Sequence, residues 1–177
     1  MAKPKLTHVD DQGRVHMVDV SDKAETERVA VARATLRCKK ATRDAIVGGT
    51  LKKGEAMATA KVAAILAAKR TGELIPLCHP LPLTDVQVVL TPVAAGIAIE
   101  AMAKTVGRTG VEMEAMVACS VAGLVLYDMA KAAERGMVLD QVRLVEKRGG
   151  KSGHWRRAGE RSSARRATHA LGVAGGR

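Results

Sequence analysis

Residues 107–136 read GRTGVEMEAMVACSVAGLVLYDMAKAAERG, and this stretch decides the architecture of the chain. Val111, Met113, Met116, Val117, Val121, Leu124 and Val125 recur at helical spacing and give a broad apolar stripe. Glu112 and Glu114 fall in the first turn, where the helix dipole favours negative charge, and Gly136 stands where a C-terminal glycine belongs. The pattern predicts one long helix. Near its end Asp128 and Lys131 lie three residues apart, so they share a face and can touch. They follow an apolar run, where partial desolvation moves both pKa values and makes them a candidate acid/base pair. The plainer reading is a surface ion pair worth well under ~1 kcal/mol. Glu114 precedes Asp128 on nearly the same face, within about 40° but about 21 Å away along the axis. One small ligand cannot bridge both ends of that helix. If both ends carry chemistry, they serve different copies of a site built between subunits.

Working outward, residues 1–13 are polar and read as a loose arm. VHMVDV, 15–20, alternates as a half-buried strand. RVAVARATLRC, 28–38, is ambiguous between helix and strand; its alternation favours a strand pairing with the first. A short helix over 42–47 ends at Gly48-Gly49, and the alanine-dense GEAMATAKVAAILAAKR, 54–70, predicts a second long helix ended by Thr71 and Gly72. Prolines 76, 80 and 82 stiffen LIPLCHPLPLT, 74–84, into an arm that presents His79. VQVVLT, 86–91, and IAIEAMAK, 97–104, form an antiparallel pair around 92–96, and QVRLVEK, 141–147, is a final strand. Strands pair by hairpin and helices cluster. The expectation is α+β: an antiparallel-rich sheet with helices packed on one face.

The 177 residues suit one domain. With no Phe, one Trp and one Tyr, the core must be built from Ala, Val, Leu and Met. There is no apolar N-terminal region and no uninterrupted apolar run near the ~20 residues of a membrane span, so a cytoplasmic protein is expected. Cys38, Cys78 and Cys119 are odd in number and widely spaced, which indicates neither a disulfide framework nor a zinc site, and Cys119 reads as a core residue. The net charge of +11 is unevenly spread: from residue 156 onward six arginines against one glutamate contribute +5, leaving +6 elsewhere. Residues 156–177 are therefore expected to be a basic, disordered tail behind a domain spanning 1–155. The remaining surplus suits a polyanionic small molecule, and the scarcity of aromatics argues against base stacking on nucleic acid.

His79 lies between Cys78 and Pro80. Adjacent side chains of an extended segment point to opposite faces, so adjacency makes no Cys–His nucleophile pair; His79 can bind or protonate a substrate, or simply brace the arm. GGKSG, 149–153, lacks the earlier glycine of a phosphate loop, because that position is Val145, and no helix follows it. A loop with Lys151 and free backbone N–H groups can still grip phosphate. Arg28, Lys53, Lys69, Lys131, Lys147 and Lys151 fall mostly at element ends, where pockets form. Cations converging there would bind a triphosphate and depress one another's pKa values, whereas each alone is a solvated surface charge.

HMVDVSDKAET, KVAAILAAKRTGELIPLCHPLPLT, GRTGVEMEAM, VLYDMAKA and GGKSG, in that order, resemble the cyclic pyranopterin monophosphate synthases, accessory protein C of molybdenum-cofactor (molybdopterin) biosynthesis. The resemblance covers about residues 6–155. It implies a ferredoxin-like fold and a homohexamer, a trimer of dimers, with active sites between subunits. It also implies a lyase reaction: (8S)-3′,8-cyclo-7,8-dihydroguanosine 5′-triphosphate is rearranged to cyclic pyranopterin monophosphate with loss of pyrophosphate. By the same resemblance Asp128, Lys131 and Lys53 are catalytic. Leu77, Cys78, His79, Glu112, Met113 and Glu114 bind substrate, and Arg28, Lys69, Lys147 and Lys151 are basic positions around the pocket. No cofactor or protein-held metal is required, although Mg2+ can accompany the triphosphate. Glu55 stands where aspartate is commoner, a change that keeps the charge. The competing reading is a basic nucleic-acid-binding or scaffolding oligomer without catalysis; intact Asp128, Lys131 and Lys53 argue against it.

Overall fold

The computed structural model describes residues 12–151 and 153–161. β1 (Thr26–Arg37) leads into α1 (Lys40–Val47), α2 (Ala56–Lys69) and the single turn α3 (Thr71–Leu74). β2 (Leu83–Val93) and β3 (Gly96–Gly107) form a tight hairpin, α4 (Glu112–Ala130) crosses back, and β4 (Val138–Arg148) and β5 (His154–Arg156) follow. The strands make one antiparallel sheet in the order β2-β3-β1-β4-β5. Leaving aside the edge strand β5, this is the β-α-β-β-α-β ferredoxin-like arrangement, with β3 inserted between β1 and β2. The α+β expectation holds, with helices against one face of the sheet.

Alanine sets the thickness of the core. Ala30, Ala32 and Ala34 of β1 and Ala101 and Ala103 of β3 face Ala56, Ala60, Ala64 and Ala68 of α2 and Ala115, Ala118 and Ala122 of α4 in one buried cluster. The α2 alanines recur every four residues, so one helix edge carries no side chain beyond Cβ and can approach the sheet closely. The buried face of α4 differs from the large-residue stripe read from the sequence. Its small face, with Cys119 and Leu126, is turned to the sheet, while Leu124 is 58% exposed. Small side chains gain dispersion contacts by letting backbones approach, and that determines which face goes inward. α4 is long and apolar enough to meet the length and hydropathy of a membrane span, yet it is this protein's core helix, packed on β1, β3, β4 and α2.

Three expectations need correction. Residues 15–20 do not pair with β1: only an isolated bridge at Val15 is regular, and Val15 and Met17 are exposed. The reason lies in β1, whose two edges are taken by β3 and β4 along nearly its whole length. Thr71 and Gly72 do not end helical structure but start α3. A three-residue strand, β5, stands where no strand is expected. The first residues of the expected tail lie on the sheet, since the boundary at 155/156 falls inside β5. Residues 162–177, the rest of that tail, and most of the arm 1–13 lie outside the described residues.

The sheet face away from the helices carries an ion cluster. Arg33 on β1 reaches Glu100 on β3 at 2.6 Å and Glu160 at 2.7 Å, and Glu160 also accepts from Arg143 Nε on β4 at 2.6 Å. Burial would raise the Glu160 pKa, but the hydrogen bonds from Arg33 and Arg143 outweigh it and hold the carboxyl below its usual range.

Candidate active site

The last turn of α4 carries Asp128. Its Oδ1 accepts from Lys131 Nζ at 2.7 Å, the i, i+3 contact expected of the helix. Its Oδ2 accepts from Lys53 Nζ at 2.6 Å, and the same ammonium donates to the Asp128 carbonyl at 3.0 Å. Lys53 comes from the turn before α2, which the packing of α2 on α4 brings to this end of the layer. Hydrogen bonds from Lys131 first and Lys53 second lower the Asp128 pKa to about 2, and Asp128 in turn raises that of Lys131. The desolvation expected from the sequence is not the cause, because all three side chains are about half exposed. Exposed pairs of this kind add little to stability. The arrangement holds a fixed carboxylate between two ammonium groups beside a cavity of about 300 Å³ lined by Lys53, Tyr127, Lys131, Ala132 and Arg135.

A second cavity, about 370 Å³, opens at the other end of α4. The proline arm contributes Leu77, Cys78 and His79; the first turn of α4 contributes Glu112, Met113 and Glu114. Glu114 is nearly fully buried, and burial lifts its pKa to about 7 with help from nearby Glu112. Near neutrality its carboxyl is therefore divided between the charged form and a protonated form that can donate a hydrogen bond. His79 donates from Nε2 to the Val18 carbonyl at 2.9 Å, which ties Val18 to the arm and leaves Nδ1 uncommitted by that bond. Burial raises the Cys78 thiol pKa, so it is a poor nucleophile, and Cys119 is pushed up to about 12 inside the core. Val18, Val20 and Lys23 also line this cavity, although sequence reasoning does not single them out as site residues. The motif HMVDVSDKAET is the signal that could have found them, but no residue type in it points to a particular role.

The basic positions divide. Lys147 on β4 pairs at 2.9 Å with Glu112, which lines the larger cavity. Arg28 donates from Nη2 to the Arg108 carbonyl at 3.3 Å, while its buried Nε has no hydrogen-bond partner among the described residues. The glycines of GGKSG fit around this side chain. A Cβ on Gly149 would lie 1.9 Å from the Glu27 carbonyl, and one on Gly150 would lie 2.1 Å from Arg28 Nη1. Close packing and left-handed φ values of 96° and 74°, rather than a phosphate-loop motif, account for these two glycines. Lys151 is exposed in the same loop, and Lys69 is exposed at the end of α2; neither enters an ion pair among the described residues. No group of three or more His, Cys, Asp and Glu side chains among the described residues is arranged to hold a metal ion.

Against known proteins, the profile of the MoaC family matches residues 17–150, from the segment over the proline arm to the glycine loop. The chain belongs to the MoaC family. A MoaC relative named cyclic pyranopterin monophosphate synthase, from Novosphingobium aromaticivorans, is 58% identical over 153 residues, covering 86% of this chain and 98% of the relative. Both candidate clusters lie inside the matched region of the MoaC profile.

Proposed function

We propose that this chain catalyses the cyclic pyranopterin monophosphate synthase reaction of molybdenum-cofactor biosynthesis. It rearranges (8S)-3′,8-cyclo-7,8-dihydroguanosine 5′-triphosphate and expels pyrophosphate. The observation that carries the mechanism is the Asp128 carboxylate held between Lys53 and Lys131 at 2.6 and 2.7 Å.

That geometry supports the following division of the proton chemistry. With a pKa near 2, Asp128 is ionised throughout the working range and acts as a fixed acceptor that orients both lysines. Lys131 enters as the ammonium, held by Asp128 beside the cavity, and is the proton donor when the cyclised base opens. In the closing step a ribose-derived hydroxyl oxygen bonds to the α-phosphorus and gives up its proton to solvent, while the bond from that phosphorus to the oxygen bridging to the β-phosphate breaks. Pyrophosphate takes the electron pair, and cations near its oxygens stabilise the charge that develops there. Glu114, in its protonated form, offers a hydrogen bond to the pterin-forming portion, and Leu77, Cys78, His79 and Met113 shape its pocket. Arg28, Lys69, Lys147 and Lys151 supply the surrounding positive charge. Any Mg2+ arrives on the triphosphate itself.

The two clusters sit at opposite ends of α4, about 21 Å apart along its axis. A complete site then takes the Asp128 end of one subunit and the His79–Glu114 end of another, which is the reason we include a homohexamer, a trimer of dimers, in the proposal. Val62 and Leu66 of α2 and Leu124 of α4 leave large apolar side chains on the outer side of the helices, in keeping with contacts to further copies. A cytoplasmic enzyme goes with this reading. The test is pyrophosphate release from the cyclised dihydro-GTP by wild type and Asp128→Asn, each of unchanged mass in solution. The substitution keeps the shape but removes the charge, and is expected to reduce the rate by about 10²–10⁴-fold. Equal rates would reduce the ion triad to a surface feature.

A further inference from the structure

We propose that Arg135 is the phosphate-binding cation of the pocket beside Asp128, engaging the oligophosphate of the ligand through its guanidinium fork. The cavity there is lined by three cationic side chains, Lys53, Lys131 and Arg135. Two of them are already engaged, since Lys53 and Lys131 both hold Asp128 within 2.7 Å. Arg135 forms no ion pair among the described residues, so its charge is wholly open to an incoming anion, whereas Lys53 and Lys131 share theirs with one carboxylate. A planar guanidinium with five N–H donors suits the non-bridging oxygens of a phosphate better than a lysine does.

The backbone that carries Arg135 is held from both sides, unlike that of an ordinary surface arginine. Tyr127 Oη donates to the Arg135 carbonyl at 3.0 Å. The neighbouring Glu134 accepts from Thr42 Oγ1 at 2.7 Å and from the Lys39 amide at 3.0 Å, which ties the turn to α1. The Lys131 amide continues the helix to the Tyr127 carbonyl at 2.8 Å. The turn after α4 is therefore fixed relative to Asp128, and the ordering cost of binding is confined to the arginine side chain. The ligand class is a di- or triphosphate. Its identification with the triphosphate of the substrate rests on the proposed function, but the site itself does not.

The experiment separates the two. Inorganic tripolyphosphate is titrated calorimetrically into wild type, Arg135→Gln and Arg135→Lys. Loss of one charge-assisted hydrogen-bonding group is expected to weaken binding by Arg135→Gln about ten- to a hundredfold, with Arg135→Lys intermediate and melting temperatures unchanged. Equal affinity in wild type and Arg135→Gln overturns the proposal. Tyr127→Phe should weaken binding in the wild-type background but have no effect in the Arg135→Gln background; equal effects in both would overturn the tether. Pyrophosphate release is measured in parallel. Arg135-dependent binding by a wild type that releases no pyrophosphate keeps this site and removes the synthase reading. Release by a wild type whose binding ignores Arg135 does the reverse.

Discussion

Two carboxylates on one helix are driven in opposite directions. Asp128, in solvent with two ammonium partners, is held near pKa 2, whereas Glu114, buried beside another acid, rises to about 7. For Glu114 the folded value exceeds the unfolded one of 4.5, so its contribution to stability is complete below about pH 4.5 and is lost as pH rises through about 7. Glu114→Gln should remove this dependence. The variant is expected to match wild type near pH 4.5 and to exceed it at pH 8 by about 3 kcal/mol, the free energy of ionising a buried carboxyl that water would ionise more readily. Thermal melts of both proteins across that range are the check, and parallel curves would place the proton elsewhere. Only part of this residue-level picture was legible in the sequence. The i, i+3 spacing showed that Lys131 meets Asp128, but Lys53 is 75 residues away, and nothing local reveals that it completes the triad.

At the scale of elements, patterns that depend on neighbours along the chain were readable and those that depend on available partners were not. α2 followed from its run of alanines and α4 from its helical spacing and acidic first turn, although Gly136 lies beyond the end of α4 at Ala130. The alternation in 15–20 read as a half-buried strand, but its apolar residues divide: Val18 and Val20 line the larger cavity, whereas Val15 and Met17 are exposed. It could not tell that both edges of β1 were already occupied. β5 escaped because His154, Trp155 and Arg156 are all exposed and leave no apolar pattern. It is held instead by register with Glu146, Lys147 and Arg148 on β4. The glycine loop between these strands yields a prediction of its own. Gly149→Ala places a methyl group against the β1 backbone at positive φ and should destabilise the protein by about 2 kcal/mol or more, visible as a shift in the urea midpoint. An unchanged midpoint would show that the loop can move away from β1.

For the molecule as a whole, the sequence conveyed the fold class through its strand and helix order, and the long separation along α4 raised the expectation that, if both ends carry chemistry, they serve different copies of a shared site. The complementary defects of two inactive variants test this directly. Asp128→Asn damages one end of α4, and His79→Ala damages the cavity at the other. Mixed after subunits are allowed to exchange, they should recover pyrophosphate release that neither shows alone, because some interfaces then pair an intact end with an intact end. A site contained in one chain would give no recovery at any ratio. The ion cluster on the open sheet face adds a stability prediction. Glu160→Ala leaves Arg33 and Arg143 of neighbouring strands side by side without their shared carboxylate, and should lower the melting temperature by several degrees, the consequence of about 1–3 kcal/mol. No change in the melt would make Glu160 dispensable to the sheet.

The composition that forced an alanine core also left the protein a single built-in optical reporter. Trp155 is the one tryptophan; it is 40% exposed, pairs across the hairpin with Lys147 and lies 5.8 Å beneath the Arg157 guanidinium. With no Phe and one Tyr, excitation at the red edge of the absorption band sees this indole and nothing else. Its emission therefore reads the strand whose Lys147 holds Glu112 of the larger cavity, so a ligand that disturbs that ion pair can be followed in real time without attaching a dye.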